Sequence, residues 1–442
     1  MNSSITEPLT STFKKPARKE ILAWASYDIA NSSYAVVVAT AVYSPYFVNE
    51  IGKGLAPGHA TVILTGVVCV ASLLIVLTAP ILGTICDAKA SKKHMLLVST
   101  LVCVFATAFL AFVQPGNIVT AALLYTLANF AFGTGEDLIA AFLPELASKE
   151  DMGRISALGW AAGYVGGLLS LGVCLLFMSW SIKNHHEPTE YVPVVIFSVA
   201  VAFTLLSIPT FKILKERAQP EPIKSGHSYA EAGFRRLRET LTHTRHYKDL
   251  FAFLLALLVY SCGTTTVVHL AAVYAQEVVH FTPTDSVIMI LVVNVTAAIG
   301  AFLFGYIQDK FGSIKTLRVT LTIWTIAIVV ASMSTTKQEV WMAANLVGIA
   351  MGSTGSAGRA LVGQFAPSGR SGEFLGLWGV AVKLATALGA MSFGLVTFLT
   401  HNNLRMAMLS TIVFFVIGIF LLRSVDEERG RLAAHSDVEV IL

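Results

Sequence analysis

Two short stretches, GTICDAKASKK at residues 83–93 and GYIQDKFGSIK at residues 305–315, share a Gly, an Asp four residues later and a basic end. Each stretch is followed by one further segment, and these two segments are also similar to each other. The first ends at Trp160 and the second at Trp378. The copies lie 218 to 222 residues apart, which is close to half of the 442-residue chain. Such internal similarity predicts a molecule built from two equivalent halves.

The composition is typical of a membrane protein, since 55% of the residues are hydrophobic, 13% are charged and the mean hydropathy is +0.69. All five cysteines fall inside apolar runs, and no Cys/His cluster has the spacing of metal ligands. The Gly-rich run GIAMGSTGSAGRALVG at 348–363 lacks the Gly-Lys-Ser/Thr ending of a phosphate loop, and its small residues indicate close helix packing. The sequence therefore predicts no cofactor, no metal site and no nucleic-acid partner.

Twelve runs are long and apolar enough to cross a bilayer, which takes about 20 residues each. The fold class predicted is an all-α membrane protein with 12 transmembrane helices in two pseudo-symmetric six-helix bundles. The predicted spans are 21–48, 61–86, 94–113, 118–143, 155–180, 191–213, 249–277, 285–309, 314–334, 339–364, 372–400 and 404–424.

Orientation follows from the basic residues, because Lys and Arg concentrate in cytoplasmic loops. Of the 31 Lys and Arg residues, 25 fall in the two tails and in the connections on one side of these spans. Both termini are therefore predicted to be cytoplasmic, in a multi-pass protein of the bacterial inner membrane. The predicted units are a cytoplasmic tail 1–20, a first bundle 21–213, a linker 214–248, a second bundle 249–424 and a cytoplasmic tail 425–442.

The linker contains a predicted amphipathic helix. Ala230, Phe234, Leu237 and Leu241 recur at helical spacing, while three arginines lie elsewhere around the turn. One interpretation is a helix lying on the cytoplasmic leaflet, with lipids as partners. A solvated linker helix without lipid contact is the alternative.

Twelve spans, the 6+6 repeat, the long basic central loop and the Gly-x-x-x-Asp loops together resemble the major facilitator superfamily. The second loop matches the superfamily pattern with Gly305, Asp309 and Lys310, and the first keeps Gly83 and Asp87. The resemblance implies that these loops control the conformational change, and that the first, fourth, seventh and tenth helices line a central cavity. We add to this predicted gate the arginines of the second repeated segment, Arg154 and Arg370.

Within that superfamily the chain resembles the vacuole effluxer family and its bacterial relatives. The segments that carry this resemblance are WASYDIANSSYA at 24–35, PYF at 45–47, FLPEL at 142–146, GRISALGWAAGYVGG at 153–167 and GRSGEFLGLWGVAVK at 369–383. The family includes fungal vacuolar amino-acid exporters. The resemblance therefore implies a transporter rather than an enzyme, and amino acids as a substrate class.

Charged residues inside apolar spans are costly and mark candidate functional positions. Applying the Pro144–Pro367 spacing of 223 residues to Glu136 gives position 359, so Glu136 and Arg359 are predicted to face each other across the cavity. Helical geometry predicts that only one of Glu136 and Asp137 faces the cavity. The alternative is that the Glu136–Arg359 ion pair serves only to close the cytoplasmic gate.

Three further polar residues lie within the spans. Lys383 is predicted near the membrane midplane, about 16 Å into its helix, where it would bind a substrate carboxylate or pair with an acid. Asp28, together with Asn31, is either a proton or cation site or a helix-packing cluster. The predicted substrate or coupling residues are thus Asp28, Asn31, Glu136, Asp137, Arg359 and Lys383.

The function that these residues predict is secondary active transport by alternating access. The substrate is expected to be a small polar solute, zwitterionic or anionic and amino-acid-like, with protons or another ion as the coupling partner. Glu136 would bind a cationic group, whereas Arg359 and Lys383 would bind a carboxylate or phosphate. Alternatives are a larger amphiphile such as a siderophore, peptide or lipid-derived solute, and a receptor that does not transport. The protein is expected to be a monomer.

Overall fold

The computed structural model describes residues 16–56, 59–220, 228–242, 247–367, 370–401 and 403–441, and every regular element in these ranges is helical. In the first half these elements are α1 (Arg18–Ser33), α2 (Tyr43–Tyr46), α3 (His59–Lys89), α4 (Lys92–Leu110), α5 (Ile118–Ala140), α6 (Leu143–Leu146), α7 (Met152–Lys183) and α8 (Pro188–Ile213), followed by α9 (Tyr229–Thr242). In the second half they are α10 (Lys248–Val279), α11 (Pro283–Phe311), α12 (Ser313–Met333), α13 (Lys337–Phe365), α14 (Ser371–Leu399), α15 (Leu404–Ser410), α16 (Ile412–Leu421) and α17 (Glu427–Ile441).

Ten helices of the described residues are long and apolar enough to cross a membrane. They coincide with ten of the twelve predicted spans, with ends that differ by a few residues. The first predicted span is divided into α1, α2 and the π-helical segments Tyr34–Ala41 and Phe47–Ile51. The tenth corresponds to α13, whose many glycines and serines lower its hydropathy. The count of twelve is consistent with this arrangement.

The buried apolar residues form two large clusters that follow the two predicted halves. One draws mainly on residues 24–214, and the other mainly on residues 247–425. The halves contact each other where α7 packs against α11 and α13, and where α3 packs against α14. Because each half has its own core, these contacts can rearrange without exposing either core.

Small residues allow α11 and α13 to pack closely. The backbone of Ile349 lies against Gly300, and the carbonyl oxygen of Ala297 lies where a Cβ of Gly352 would be. Side chains at either position would separate the two backbones. This part of the Gly-rich run thus has the packing role that the sequence predicts.

The connections after α8 and after α16 fold back onto the same side of the molecule, which we call the linker side. Arg217 forms a bidentate ion pair with Glu20 at 2.7 and 2.8 Å, and Arg429 forms one with Asp249 at 2.7 Å. The segment predicted as a carboxyl-terminal tail therefore contains a helix, α17, docked against the second half. The opposite side of the molecule is called the far side.

The predicted amphipathic helix of the linker is present as α9. It packs against α3 through Ala232, which is buried, and Gly233, which lies beside the carbonyl of Pro80. Phe234 is 47% exposed, so its ring does not face α3. The side chains of Ala230, Leu237 and Leu241 lie outside the described residues, and the role of this face remains a prediction.

Replacing Gly352 with Ala is expected to destabilise the protein, because the new methyl group would overlap the carbonyl oxygen of Ala297. Overpacking of this kind costs about 1–3 kcal/mol. Gly172→Ala is the matched control, since no atom lies within 4 Å of its Cβ position. Thermal unfolding of the purified protein should show a lower Tm for Gly352→Ala only, and equal Tm values would contradict this packing.

Candidate functional site

A cavity of about 450 Å³ lies between the two halves. It extends from Met289 and Val340, near the far-side ends of α11 and α13, to Glu136 and Lys383 in the middle of the molecule. The linker side is closed by the contacts described below, so the cavity opens toward the far side. Its walls come from the π-helical extension of α1 and from α5, α7, α10, α11, α12, α13, α14 and α15. The walls thus include the four spans that the resemblance implied, which are the α1 extension, α5, α10 and α13, together with five other helices.

An acid–lysine cluster of Glu136, Asp137 and Lys383 lies at the inner end of this cavity. The Lys383 Nζ is 3.3 Å from Oε2 of Glu136, and these side chains are 20% and 32% exposed. Asp137 packs against Gly379 of α14, and its Oδ1 is buried without a hydrogen-bond partner in the protein. Both carboxylates line the cavity, so the prediction that only one of them faces it is wrong. Because Gly379 has no side chain, α14 packs closely against α5 at Asp137.

Arg359 lies below the cavity on the linker side and does not line it. Its Nη1 is 3.3 Å from Oδ2 of Asp28, and its guanidinium donates to the hydroxyl and carbonyl oxygens of Ser156 at 3.1 and 2.8 Å. The indoles of Trp24 and Trp160 cover it at 4.9 and 5.7 Å. With an exposed fraction of only 4%, Arg359 is sealed from the cavity.

The predicted pairing of Glu136 with Arg359 is therefore wrong. The repeat spacing relates the backbone positions of the two residues, but it does not give the direction of their side chains. Arg359 extends toward α1 and α7, where Gly159 leaves room beside Asp28 and the guanidinium. Glu136 instead has Lys383 as its partner.

Two neighbouring polar residues of the first span, Asp28 and Tyr27, have structural partners. Asp28 is bonded to Arg359, and the hydroxyl of the adjacent Tyr27 lies 2.8 Å from the hydroxyl of Thr100. Asn31 is buried and does not line the cavity, and its Oδ1 has no hydrogen-bond partner among the described residues. This arrangement matches the helix-packing alternative, and a direct role of Asp28 and Asn31 in coupling stays a prediction.

Two aspartates of the repeated loops each cap a helix of the opposite half, and we call these contacts the crossed caps. Asp87 accepts hydrogen bonds from the backbone N–H groups of Gly372 and Glu373 at 3.2 and 3.3 Å, at the start of α14. Asp309 accepts one from the N–H of Arg154 at 3.0 Å, at the start of α7. A carboxylate is favoured at a helix N-terminus because the N–H groups there carry partial positive charge.

The loop glycines make these caps possible. A Cβ on Gly83 would lie 3.1 Å from the backbone of Gly372, and one on Gly305 would lie 3.4 Å from the carbonyl oxygen of Gly153 and press against Ala157. The predicted gate positions Gly83, Asp87, Gly305 and Asp309 thus lie at the contacts between the halves. Their role in the conformational change remains a prediction.

Three predicted gate residues have their side chains elsewhere. Arg370 bonds to Glu373 of its own half at 2.7 Å, Arg154 bonds to Asp151 at 2.8 Å, and Lys310 is exposed with its ammonium over the Phe311 ring. On the linker side, Lys92 also reaches across to the other half, since it is 1% exposed and donates to Glu145 of its own half and to the Ser371 hydroxyl of the second. Its basic loop was visible in the sequence, but nothing there separates Lys92 from its neighbours.

A second contact between the halves involves the docked carboxyl-terminal helix. Gln364 donates to the carbonyl oxygen of Lys149 at 3.0 Å, and Arg431 of α17 donates to the Gln364 side chain at 3.0 Å. Burial, together with the positive charge of Arg431, lowers the pKa of Lys149 to about 8. The Lys149 ammonium therefore loses its proton at a lower pH than that of a surface lysine.

The two-half helical membrane fold, the central cavity and the crossed caps define a transporter of the major facilitator superfamily. Within it, the chain belongs to the family described as "Vacuole effluxer Atg22 like", whose model matches residues 59–435. It is 28% identical to the uncharacterized MFS-type transporter YxiO of Bacillus subtilis, over 93% of this chain and 95% of that protein. It is 25% identical to autophagy-related protein 22 of Kluyveromyces lactis, over 79% of this chain and 76% of that protein.

Solved structures of the same superfamily have the same fold. The proton:xylose symporter XylE matches with a TM-score of 0.73 at 15% identity, over 95% of this chain and 98% of that one. The human organic anion transporter MFSD10 matches with a TM-score of 0.72 at 15% identity, over 92% and 100%. A bacterial homologue of the iron transporter ferroportin in the outward-facing state matches with a TM-score of 0.67 at 13% identity, over 92% and 98%. At these identities the likeness concerns the fold alone.

Asp87→Asn is expected to open the linker side more often, because it removes the charge from the cap on α14. Hydrogen bonds to charged groups contribute about 1.5–3 kcal/mol, so opening should rise about tenfold or more. The measurement is maleimide labelling of a cysteine at the buried position Ser371, in a chain whose five native cysteines are replaced.

Asp285→Asn is the matched control for this variant, since the Asp285 carboxylate accepts the N–H of Thr282 in the capping box of its own helix on the far side and pairs with Lys337. Its labelling rate should equal that of the parent chain. An unchanged rate in Asp87→Asn would show that the cap on α14 does not hold the halves together.

Proposed function

We propose that this protein moves a small zwitterionic, amino-acid-like solute across the membrane by alternating access, coupled to protons. The observation that carries the proposal is the acid–lysine cluster, which is the group of ionisable side chains that lines the described part of the cavity. Ionisable groups within a membrane bundle are retained where they handle substrates or ions.

The charges of the cluster favour a substrate ammonium. Lys383 can neutralise one carboxylate, and Glu136 and Asp137 supply two. Because the second carboxylate has no cation of its own, a substrate ammonium is a suitable partner for it. Glu136 is the more accessible acid and already lies at the cavity surface, so it is the residue proposed to receive the ammonium.

Asp137 is the proposed proton carrier. An ionised carboxylate that is buried with an unpartnered oxygen is costly, and a bound proton removes that cost. When the substrate ammonium occupies Glu136, Lys383 is free to pair with Asp137, which would then release its proton. Substrate and proton would thus share one set of three side chains.

Alternating access requires that the linker side open after the far side closes. The contacts that must break are the crossed caps and the Arg359–Asp28 pair, all of which join the two halves. Arg359 is therefore proposed as part of the linker-side lock rather than as an anion-binding residue. The cavity volume of about 450 Å³ favours a small solute over a siderophore or a lipid-derived substrate.

The orientation proposed places the linker side in the cytoplasm, in agreement with the distribution of basic residues. In a bacterial cell this corresponds to the inner membrane, with the cavity open to the outside. A transport cycle of this kind needs no nucleotide, and it can run in either direction according to the gradients of solute and protons.

The test of the proposed function is uptake of a panel of radiolabelled amino acids by proteoliposomes that contain the purified protein. Accumulation is expected only with a pH difference across the vesicle membrane, because each substrate must move with or against a proton. Protein-free liposomes are the control. Full accumulation at equal pH with a Na⁺ gradient would contradict proton coupling, and no transport of any amino acid would contradict the substrate class.

Asp137→Asn and Glu136→Gln are expected to separate coupling from binding. Asp137→Asn cannot exchange a proton, so it should retain exchange of labelled for unlabelled substrate but lose accumulation driven by a pH difference. Glu136→Gln lacks the negative charge for the ammonium and should lose both activities. If Asp137→Asn still accumulates substrate in response to the pH difference, Asp137 is not the proton carrier.

A further inference from the structure

The Gly-rich run of α13 has two faces, and only one of them packs against another helix backbone. Gly348 and Gly352 face α11, as described for the fold. Gly355 and Gly358 lie three residues apart on the wall of the cavity. A Cβ on Gly355 would lie 2.9 Å from the Trp160 ring, and a Cβ on Gly358 would lie 3.0 Å from the hydroxyl of Tyr260. These two glycines therefore leave room for aromatic side chains at the cavity wall.

The polar atoms of these two aromatic residues have no partner in the protein. The Nε1 of Trp160 and the hydroxyl oxygen of Tyr260 are both buried, and neither makes a hydrogen bond. Tyr260 is only 1% exposed, so bulk water does not satisfy its hydroxyl. Buried polar atoms normally have partners, and an exception that lines a cavity indicates a ligand.

Other polar side chains of the cavity wall differ in this respect. Thr40, Thr265, Asn294 and Thr354 each donate to a carbonyl oxygen of their own helical segment. Their donors are thus already occupied. Trp160 and Tyr260 stand out among the described lining residues because their donors are buried and have no partner.

The positive charges near the cavity are also occupied. Lys383 is paired with Glu136, and Arg359 is sealed below the cavity by Asp28, Ser156 and the two indoles. A substrate carboxylate would therefore find no uncompensated cation among the described lining residues. The groups that remain for it are neutral donors.

We propose that the Tyr260 hydroxyl and the Trp160 indole N–H form a charge-free subsite that binds a carboxylate oxygen of the substrate. The inference rests on the proposed function, and it adds the atoms that recognise the second charge of the zwitterion. An indole N–H can only donate and a phenol can donate, so this pair selects an acceptor. Gly355 and Gly358 are the positions on α13 that make the subsite possible.

The experiment measures binding of three probes to the purified full-length protein by isothermal titration calorimetry. L-Phenylalanine carries both charges, phenethylamine lacks the carboxylate, and 3-phenylpropionate lacks the ammonium. Tyr260→Phe should weaken L-phenylalanine binding about tenfold, since a hydrogen bond to a charged group is lost. The Kd of phenethylamine should not change.

Trp160→Phe tests the second donor. Its effect on phenethylamine reports the loss of ring area, and any larger effect on L-phenylalanine reports the loss of the N–H. Tyr274→Phe is the matched control, because Tyr274 lines the same cavity but its hydroxyl donates to the carbonyl of Ala331 at 2.8 Å. This control should bind all three probes as the parent chain does.

Two results would overturn the subsite. In the first, Tyr260→Phe binds L-phenylalanine as tightly as the parent chain does. In the second, it loses phenethylamine to the same extent, which would mean that the hydroxyl only shapes the cavity. If the parent chain binds none of the three probes, the subsite fails, whereas the amino-acid function is decided separately by the uptake assay.

Discussion

Every charge in the middle of this helical bundle must be compensated, since water is excluded from most of it. Asp28 and Arg359 compensate each other below the cavity, and Glu136 and Lys383 do so at its inner end. Asp137 is left over, close to the second pair and with a buried unpartnered oxygen. The Asp28–Arg359 pair has one acid and one base, so it can serve as a contact that holds the halves together. The cluster of Glu136, Asp137 and Lys383 has one carboxylate more than it has cations, so it can accept a further cation.

The contact between the halves is symmetrical in design but not in detail. Each repeated loop places an aspartate on the first N–H groups of a helix in the other half, so both caps must break together when the linker side opens. At one of these contacts, Lys92 adds a buried ammonium that reaches Ser371. At another contact, Gln364 donates a hydrogen bond to the carbonyl oxygen of Lys149, and Arg431 of α17 donates one to Gln364. The energy of the closed state is thus distributed over several separate contacts.

The helices and the relation between the halves could be predicted from the sequence, because hydrophobic length and the two loop copies depend only on local pattern. The ends of α7 and α8, for example, lie within three residues of their predicted spans. The pairing of Arg359 could not be predicted in this way. Counting residues gives the depth of a side chain in the bilayer, but the partner depends on how each helix is rotated about its axis.

The same limit explains what was missed in the candidate site. Gly379 allows α14 to approach Asp137, and Gly355 and Gly358 allow Trp160 and Tyr260 to reach the cavity wall. In the sequence these glycines look like any other small residues of a membrane helix. Their meaning becomes visible only when the neighbouring side chains are known. Similarly, the docking of α17 depends on acids and arginines more than 150 residues apart.

The ion pairs and caps on the linker side tie together three helices of each half. In the first half, Arg217 binds the start of α1 through Glu20, while Glu216 accepts the N–H groups of Lys92 and Lys93 at the start of α4. In the second half, Arg429 binds the start of α10 through Asp249, and Glu427 accepts the N–H of Ile314 near the start of α12.

In both halves, the chain that follows the last membrane-spanning helix thus binds the starts of the first and third membrane-spanning helices of that half. These are α1 and α4 in the first half and α10 and α12 in the second. Three helix ends of each half are thereby joined at its base, so these ends cannot separate independently. Under the proposed alternating access, a displacement of one of these helices at the cavity would turn the three together, and the distance moved at the membrane surface would exceed the distance moved at the solute.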